Sequence, residues 1–245
     1  MSVMSFQCNI CNNAFEAEWN SLSREQDVCK HCGGWQRMRE IAHALQTKVY
    51  GMDNPKVVGL SDWKDFGKHM TASLKIRYQN TYMHKYPRLD ICSPKKNWFD
   101  SAEVLNSSDV FEHTLPPFED SLIGSRNILK KNGVLILTMP WTTNQSSLEH
   151  YPWMKSYRVK KRFRKTPKVI GVDSTGNKHE IFDPIFHGGP GYNLEMRLLN
   201  LQSLVESLES LGFTDIEVDL EDIPKYGINR SLGGGVITAR KANSS

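Results

Sequence analysis

The chain has 245 residues, 39% of them hydrophobic and 24% charged, with a formal net charge of +4. That length suits one α/β domain with a small appendage, the composition is that of a globular chain, and no apolar run approaches the roughly 18 residues that read as a membrane span. The net charge alone makes no case for nucleic acid, but its distribution is uneven, with eight cations and no acid from Lys155 to Lys168.

The opening "MSVMSFQCNIC" has neither the basic start nor the apolar stretch of a signal peptide, so a cytoplasmic location, reduced cysteines and no membrane partner are expected. Four of the five cysteines form "CNIC" and "CKHC", Cys8, Cys11, Cys29 and Cys32, with seventeen residues between the two pairs. Two residues between ligands let a tight knuckle aim both thiolates at one ion, and two knuckles complete the tetrahedral shell that zinc prefers. Four cysteines leave no open coordination position, so the expected zinc is structural, and disulfides are the poorer alternative in a reducing compartment. His31 lies inside the second knuckle and is not needed as a ligand; Cys92 stands apart and reads as a buried spectator. Residues 1–34 are thus read as a zinc ribbon and residues 35–245 as an α/β domain.

After the ribbon, "WQRMREIAHALQTKVY" sets Met38, Ile41, Ala42, Leu45 and Val49 at helical spacing. "KVVGLS" reads as a short buried strand, "DWKDFGKHMTASLKIRY" as a helix with Asp62 near its start, and "QNTYMH" as a strand followed by the loop "KYPRLDICSPKKNWFD". "AEVLNSS" is the next strand. "PPFEDSLIGSRNILKKNG" reads as a helix with proline at its start and Gly133 after its end, and "GVLILTMP" as a strand buried on both faces. An insertion at about 142–190 carries the basic run and a hairpin, "KVIGVDSTGNKHEIF". The helix "LQSLVESLESLGF", the strand "TDIEVDL" and a last strand "GGGVITARK", long enough in its connection to pair antiparallel, complete the chain. The alternation predicts a Rossmann-like, doubly wound, mostly parallel sheet whose ligand crevice lies at the carboxyl ends of its strands. Asp109, Glu112 and His113, in "NSSDVFEH", fall at such an end.

"SSDVFEHTLPPFEDSLIGSRNILKKNGVLILTMPW" resembles the fourth strand, helix and fifth strand of class I S-adenosylmethionine-dependent methyltransferases of the type 11 group. "FDPIFHGGPG", "LNLQSLVESLESLGF", "GLSDW" and "YQNTYMHKYPRLDI" are similar to segments of one subset of that group, so the resemblance covers most of the chain after the ribbon. It implies a class I methyltransferase fold with S-adenosylmethionine as cofactor. The glycine-rich loop of the family, G-x-G-x-G, is absent. In its expected place stands "VVGLSDW", with Gly59 its only glycine and Asp62 its only acid. Either this segment is a degenerate first strand, or it is the second strand and Asp62 stands for the acid that holds the ribose hydroxyls.

Under the resemblance, Asp90 in "RLDI" meets the adenine ring, and Asp109 holds the cofactor's amino group or orients substrate, or else caps a turn. His113 and His187, in "FHGGPG", are candidate bases for an oxygen nucleophile; the alternative for each is a hydrogen-bonded structural histidine. Glu112 belongs to that site or is a helix-start acid. The hairpin and basic run would form a lid over a polar, anionic acceptor such as a sugar, nucleotide-sugar or surface glycan. A second hypothesis keeps the fold without the cofactor: a module using the ribbon and the basic segment, with Lys160, Lys161, Arg162, Arg164, Tyr157 and Phe163, to hold nucleic acid or a protein partner.

Overall fold

Short runs of β-branched and apolar residues build a central sheet, and the computed structural model describes residues 3–25, 28–162, 165–189, 191–232 and 235–243, with only the backbone at 161, 162, 165, 166 and 232. The ribbon contributes β1 (Val3–Gln7) and β2 (Ala14–Glu18), an antiparallel pair, and leads into α1 (Gln36–Lys48). Then follow β3 (Lys56–Leu60), α2 (Phe66–Ser73), β4 (Arg77–Thr81), β5 (Ala102–Ser108), α3 (Glu119–Ile128) and β6 (Leu129–Thr138). The insertion holds β7 (Trp141–Thr142), β8 (Leu148–Glu149), β9 (Ser156–Arg162), β10 (Lys165–Val172), β11 (Lys178–Ile181), β12 (Phe186–His187) and β13 (Asn193–Leu194). β14 (Arg197–Asn200), α4 (Leu201–Ser210), β15 (Phe213–Asp219) and β16 (Val236–Lys241) close the chain.

The six-stranded sheet runs β15-β16-β6-β5-β3-β4. β4, β3, β5 and β6 are mutually parallel, while β16 pairs antiparallel with both β6 and β15. β3 lies between β4 and β5, the central position of a first strand. The alternative in which "VVGLSDW" is the second strand, with Asp62 in the ribose-holding place, is therefore overturned by topology.

Two helices depart in their bounds from the sequence reading. α2 begins at Phe66 rather than at Asp62, because Ser61 turns the chain at a left-handed φ of 55° and Asp62 folds back under the strand; it ends at Ser73, and β4 starts at Arg77. α3 stops at Ile128, well before Gly133. Leu129 pairs with Ala102 and Val134 with Val104, so a register shift absorbs the polar "KKNG" within β6.

Each sheet face has its own core. On one side Leu105, Leu135, Leu137 and Ile237 pack with Leu122 and Ile128 of α3 and Leu204 and Leu208 of α4. On the other, Val57, Val104, Val134 and Ile136 pack with Met38, Ile41 and Leu45 of α1, and the ribbon's Phe6, Ile10, Phe15 and Leu22 join the same cluster. The ribbon thus buries its apolar side chains against the body of the fold, which a unit this small needs. The expected hairpin is β10–β11, and β9 adds a third antiparallel strand. Met154, Val169, Ile181, Leu194 and Met196 form a separate small core beneath it. Among the described residues no helix is long and apolar enough to cross a membrane.

Candidate functional site

The four ribbon cysteines converge. Cys8 Sγ lies 3.6 Å from Cys32 Sγ and Cys11 Sγ 3.8 Å from Cys29 Sγ, with all four sulfurs within 4.8 Å of one another and none in a disulfide. A tetrahedron of ~2.3 Å zinc–sulfur bonds sets its sulfurs ~3.8 Å apart, so the donor set fits zinc in number, chemistry and spacing. The contact with Cys32 pulls the Cys8 thiol down to about 5 and pushes its partner up. Cys92 is half-buried beside Ser121 Oγ at 3.4 Å, and burial raises its pKa.

The volume a glycine-rich loop would leave open is filled by Asp62. Its carboxylate receives the Tyr78 hydroxyl and Asn106 Nδ2 (3.0 Å), while Asn80 bridges the Asp62 backbone through both side-chain atoms. A Cβ placed on Gly59 would meet Asp62 Oδ2 at 1.9 Å and the Tyr78 hydroxyl at 2.6 Å. Gly59 therefore makes room for the chain's own acid. Burial pushes Asp62 up to about 7 against the opposing pull of its two hydrogen-bond donors and of Arg37.

At the end of β5, Asp109 adopts a φ of 50° and is bound by the ribbon side of the molecule. Arg24 donates to both carboxylate oxygens at 2.5 Å, Arg37 Nε stands 3.2 Å from Oδ2, and Thr138 Oγ1 donates at 3.0 Å. Arg37 also reaches Ser108 Oγ and pairs with Glu25 at 2.6 Å. Burial raises the Asp109 pKa, but Arg24, Arg37 and Thr138 together outweigh it and hold the carboxyl below its ordinary range. An acid clamped this way orients the ribbon, so its expected contact with a cofactor amino group finds no free oxygen.

Glu112 and His113 stand one turn further on, in a 3-10 turn spanning Phe111–His113. Arg197, fully buried on β14, pins that turn by donating to Phe111 O (2.5 Å) and Thr114 Oγ1 (2.9 Å), and the Met196 amide donates to Glu112 O at 2.8 Å. Glu112 is no solvated helix-start acid. Its side chain is 0% exposed, neither oxygen has a hydrogen-bond partner, and Oε1 lies 3.6 Å from both His113 Nε2 and His187 Nδ1. The rings of the two histidines meet edge to face at 4.8 Å. His113 Nδ1 contacts Leu194 O at 2.9 Å; His187 Nε2 meets Glu195 Oε2 at 2.5 Å, and Glu195 Oε1 holds His150 at 2.9 Å. The neighbouring Glu112 carboxylate, opposed by partial burial and helped by Glu195, raises the His187 pKa. The two histidines singled out in the sequence, 74 positions apart, are thus brought together. His150, Arg197, Arg24 and Arg37 have no local spacing signal, because each acts through a partner tens of residues away, and Glu195, eight residues from His187, carries no motif that marks the pair.

Asp90 follows β4 on a loop against which α3 packs closely: a Cβ on Gly124 would lie 1.7 Å from Ile91 O. Asp90 Oδ1 accepts from the Cys92 amide at 3.1 Å, and Oδ2 has no partner among the described residues. In the basic run, Arg158 and Lys160 are exposed on β9 and Lys168 pairs with Glu180; Phe163 and Arg164 lie outside the described residues, as do the side chains of Lys161 and Arg162. A cavity of about 280 Å³, lined by Lys48, Asp215, Glu217 and Arg240, sits near the amino-terminal half of β6, away from the site.

No protein-family model and no curated protein matches the sequence. Solved structures do. The CMeT domain of the citrinin polyketide synthase superposes with a TM-score of 0.50 at 10% identity, over 87% of this chain and 54% of that one, so this chain spans about half its length. The fold is that of a class I methyltransferase. A Burkholderia thailandensis 1,6-didemethyltoxoflavin-N1-methyltransferase, solved with 1,6-didemethyltoxoflavin and S-adenosylhomocysteine, gives 0.48 at 13% identity over 84% of this chain and 79% of that one. An S-adenosylmethionine-dependent methyltransferase from Archaeoglobus fulgidus gives 0.48 at 11% over 84% and 95%. At the positions where the sequence resemblance puts S-adenosylmethionine, the residues fit unevenly: Asp90 has one carboxylate oxygen without a partner among the described residues, whereas Asp62 fills the space above Gly59.

Proposed function

We propose that the chain is an S-adenosylmethionine-dependent methyltransferase acting on a polar, anionic acceptor. The observation that carries this reading is the strand order β15-β16-β6-β5-β3-β4, with its one antiparallel insertion, joined to a histidine–glutamate cluster at the carboxyl end of β5. When bound, the cofactor supplies an electrophilic methyl group, and such a displacement asks the protein chiefly for alignment. Asp90 takes the adenosyl end. The methionine end would be held by other residues than Gly59, whose open face Asp62 fills. Around Glu112, an imidazole of His113 or His187 receives the acceptor's proton, while Glu195 and Leu194 O fix the two rings. Exposed Arg158 and Lys160 on β9 favour an acceptor carrying phosphate or carboxylate, such as a sugar, nucleotide-sugar or glycan. The four thiolates hold a structural zinc, and a reducing, cytoplasmic setting suits them.

Calorimetric titration with S-adenosylmethionine and S-adenosylhomocysteine tests the reading: binding that weakens in Asp90→Ala supports it, and no heat at millimolar ligand refutes it. Metal analysis is expected to find one zinc per ribbon, lost on Cys8→Ser.

The closed space above Gly59 favours a second reading, a cofactor-free module of this fold that holds nucleic acid or a protein through its basic strand pair. That reading predicts salt-dependent retention on nucleic acid, abolished by neutralising Lys160, Lys161, Arg162 and Arg164.

A further inference from the structure

We propose that Glu112, His113 and His187 form a binding site for a divalent first-row transition-metal ion, apart from the four-cysteine cluster. The first ground is an unanswered carboxylate. Glu112 is fully buried, and both its oxygens lack a hydrogen-bond donor. A buried charge without a partner is strongly disfavoured, so proteins pair such a group or give it to a metal. The flanking nitrogens stand at 3.6 Å, too far for a hydrogen bond. Donors ~2.1 Å from one ion are separated by ~3.0–3.4 Å at octahedral or tetrahedral angles. The three ligand atoms lie within 4.8 Å of one another, so a small inward movement of two rings brings all three within bonding distance of one ion.

The second ground is the outer contacts. His113 Nδ1 is engaged by Leu194 O and His187 Nε2 by Glu195, which makes those nitrogens N–H donors and leaves His113 Nε2 and His187 Nδ1, each 3.6 Å from Glu112 Oε1, as the nitrogens an ion would take on displacing any proton there. Orientation of a metal-binding imidazole by a carbonyl or carboxylate on its far nitrogen is the usual supporting shell of such sites. Glu195 is itself braced by His150, and the turn carrying Glu112 is fixed by Arg197 and the Met196 amide. Two imidazoles and one carboxylate suit manganese, iron, cobalt or zinc rather than calcium or magnesium. Three protein ligands leave positions open, so the ion would hold an acceptor oxygen and lower its proton affinity in place of an imidazole. The site itself stands without that role, and its test needs no methyl donor.

The full chain, with its ribbon loaded with zinc, is titrated with cobalt(II) and manganese(II). One cobalt per chain beyond the ribbon's metal is expected, with weak visible bands and none of the intense thiolate-to-metal absorption a cysteine site would give, and its binding should raise the melting temperature. Glu112→Gln and His187→Ala should each lower the affinity at least tenfold. Metal-free Glu112→Gln should melt at or above the metal-free parent, since it removes an unanswered buried charge. His187→Ala, at a half-exposed position, keeps the test open should Glu112→Gln fold poorly. No metal beyond the ribbon's, or parental affinity in either folded variant, overturns the proposal. So does a metal-free Glu112→Gln that melts lower while the parent binds nothing, the result expected of a plain carboxylate–imidazolium pair.

Discussion

Two buried acids lie at the strand ends of this molecule, and they are treated in opposite ways. Asp62, under the end of β3, receives neutral donors on both carboxylate oxygens, from Tyr78 and Asn106, while Asn80 holds its backbone. Glu112, beyond the end of β5, has none, and faces two imidazoles at 3.6 Å. Asp109, between them in sequence, is a third case, answered by full charge from Arg24 and Arg37. A buried acid supplied with donors fills space and closes it; one left unsupplied keeps its oxygens for something from outside. The crevice is shut at β3 and chemically open at β5.

The comparison can be broken most severely at Asp109. Arg24→Ala leaves this carboxylate with only the longer Arg37 contact and Thr138, turning an answered acid into one more like Glu112. Removing one partner of a fully buried pair costs roughly 3–5 kcal/mol. With both side chains slightly exposed, at 19% and 16%, a loss of about 2–3 kcal/mol in denaturant unfolding is expected. A loss under about 0.5 kcal/mol would mean that the ribbon is not anchored there.

Gly59→Ala probes the closed side. The new methyl would sit 1.9 Å from Asp62 Oδ2, and overpacking of this kind costs about 1–3 kcal/mol. The double variant Gly59→Ala with Asp62→Ala should recover part of that loss; strict additivity of the two changes would show that they do not share the space.

The same closed side also carries a pH dependence. Asp62 has a folded pKa of about 7 against 3.8 for the free group, so between those values the folded chain binds more protons than the unfolded one. Its contribution is fully present below 3.8 and is lost as pH rises through about 7, at up to about 1.4 kcal/mol per pH unit. Asp62→Asn should flatten this slope in a series of melts from pH 4 to pH 8. An unchanged slope would place its origin in another group.

The strands were readable where periodicity was pure. "AEVLNSS" is β5 residue for residue, and α1, α4, β15 and the antiparallel β16 fall where their patterns put them. Reading failed where side-chain hydrogen bonds overrode propensity: Asp62 looks like a helix-start acid and instead folds back onto its own strand, and "KKNG" looks like a helix end but is absorbed by a register shift. At the site, Cys8 to Cys32 declare themselves by spacing, because metal knuckles are local. His113 and His187 were visible as titratable groups at a strand end and in a glycine-rich loop, but their meeting, and the part of Glu195 and His150, depends on how the insertion folds back across the sheet.

The Arg24–Asp109 contact spans 85 residues of sequence, and it sets an order of events. Cys8 to Cys32 lie within 25 residues, so the ribbon's own contacts are local while its anchor to the sheet is not. Arg24 and Arg37 must then wait, solvated, until β5 has been made and laid beside β3. Contacts that span so much chain form late and slowly. The ribbon can therefore be folded while still unanchored, with both guanidinium groups solvated until Asp109 is in place.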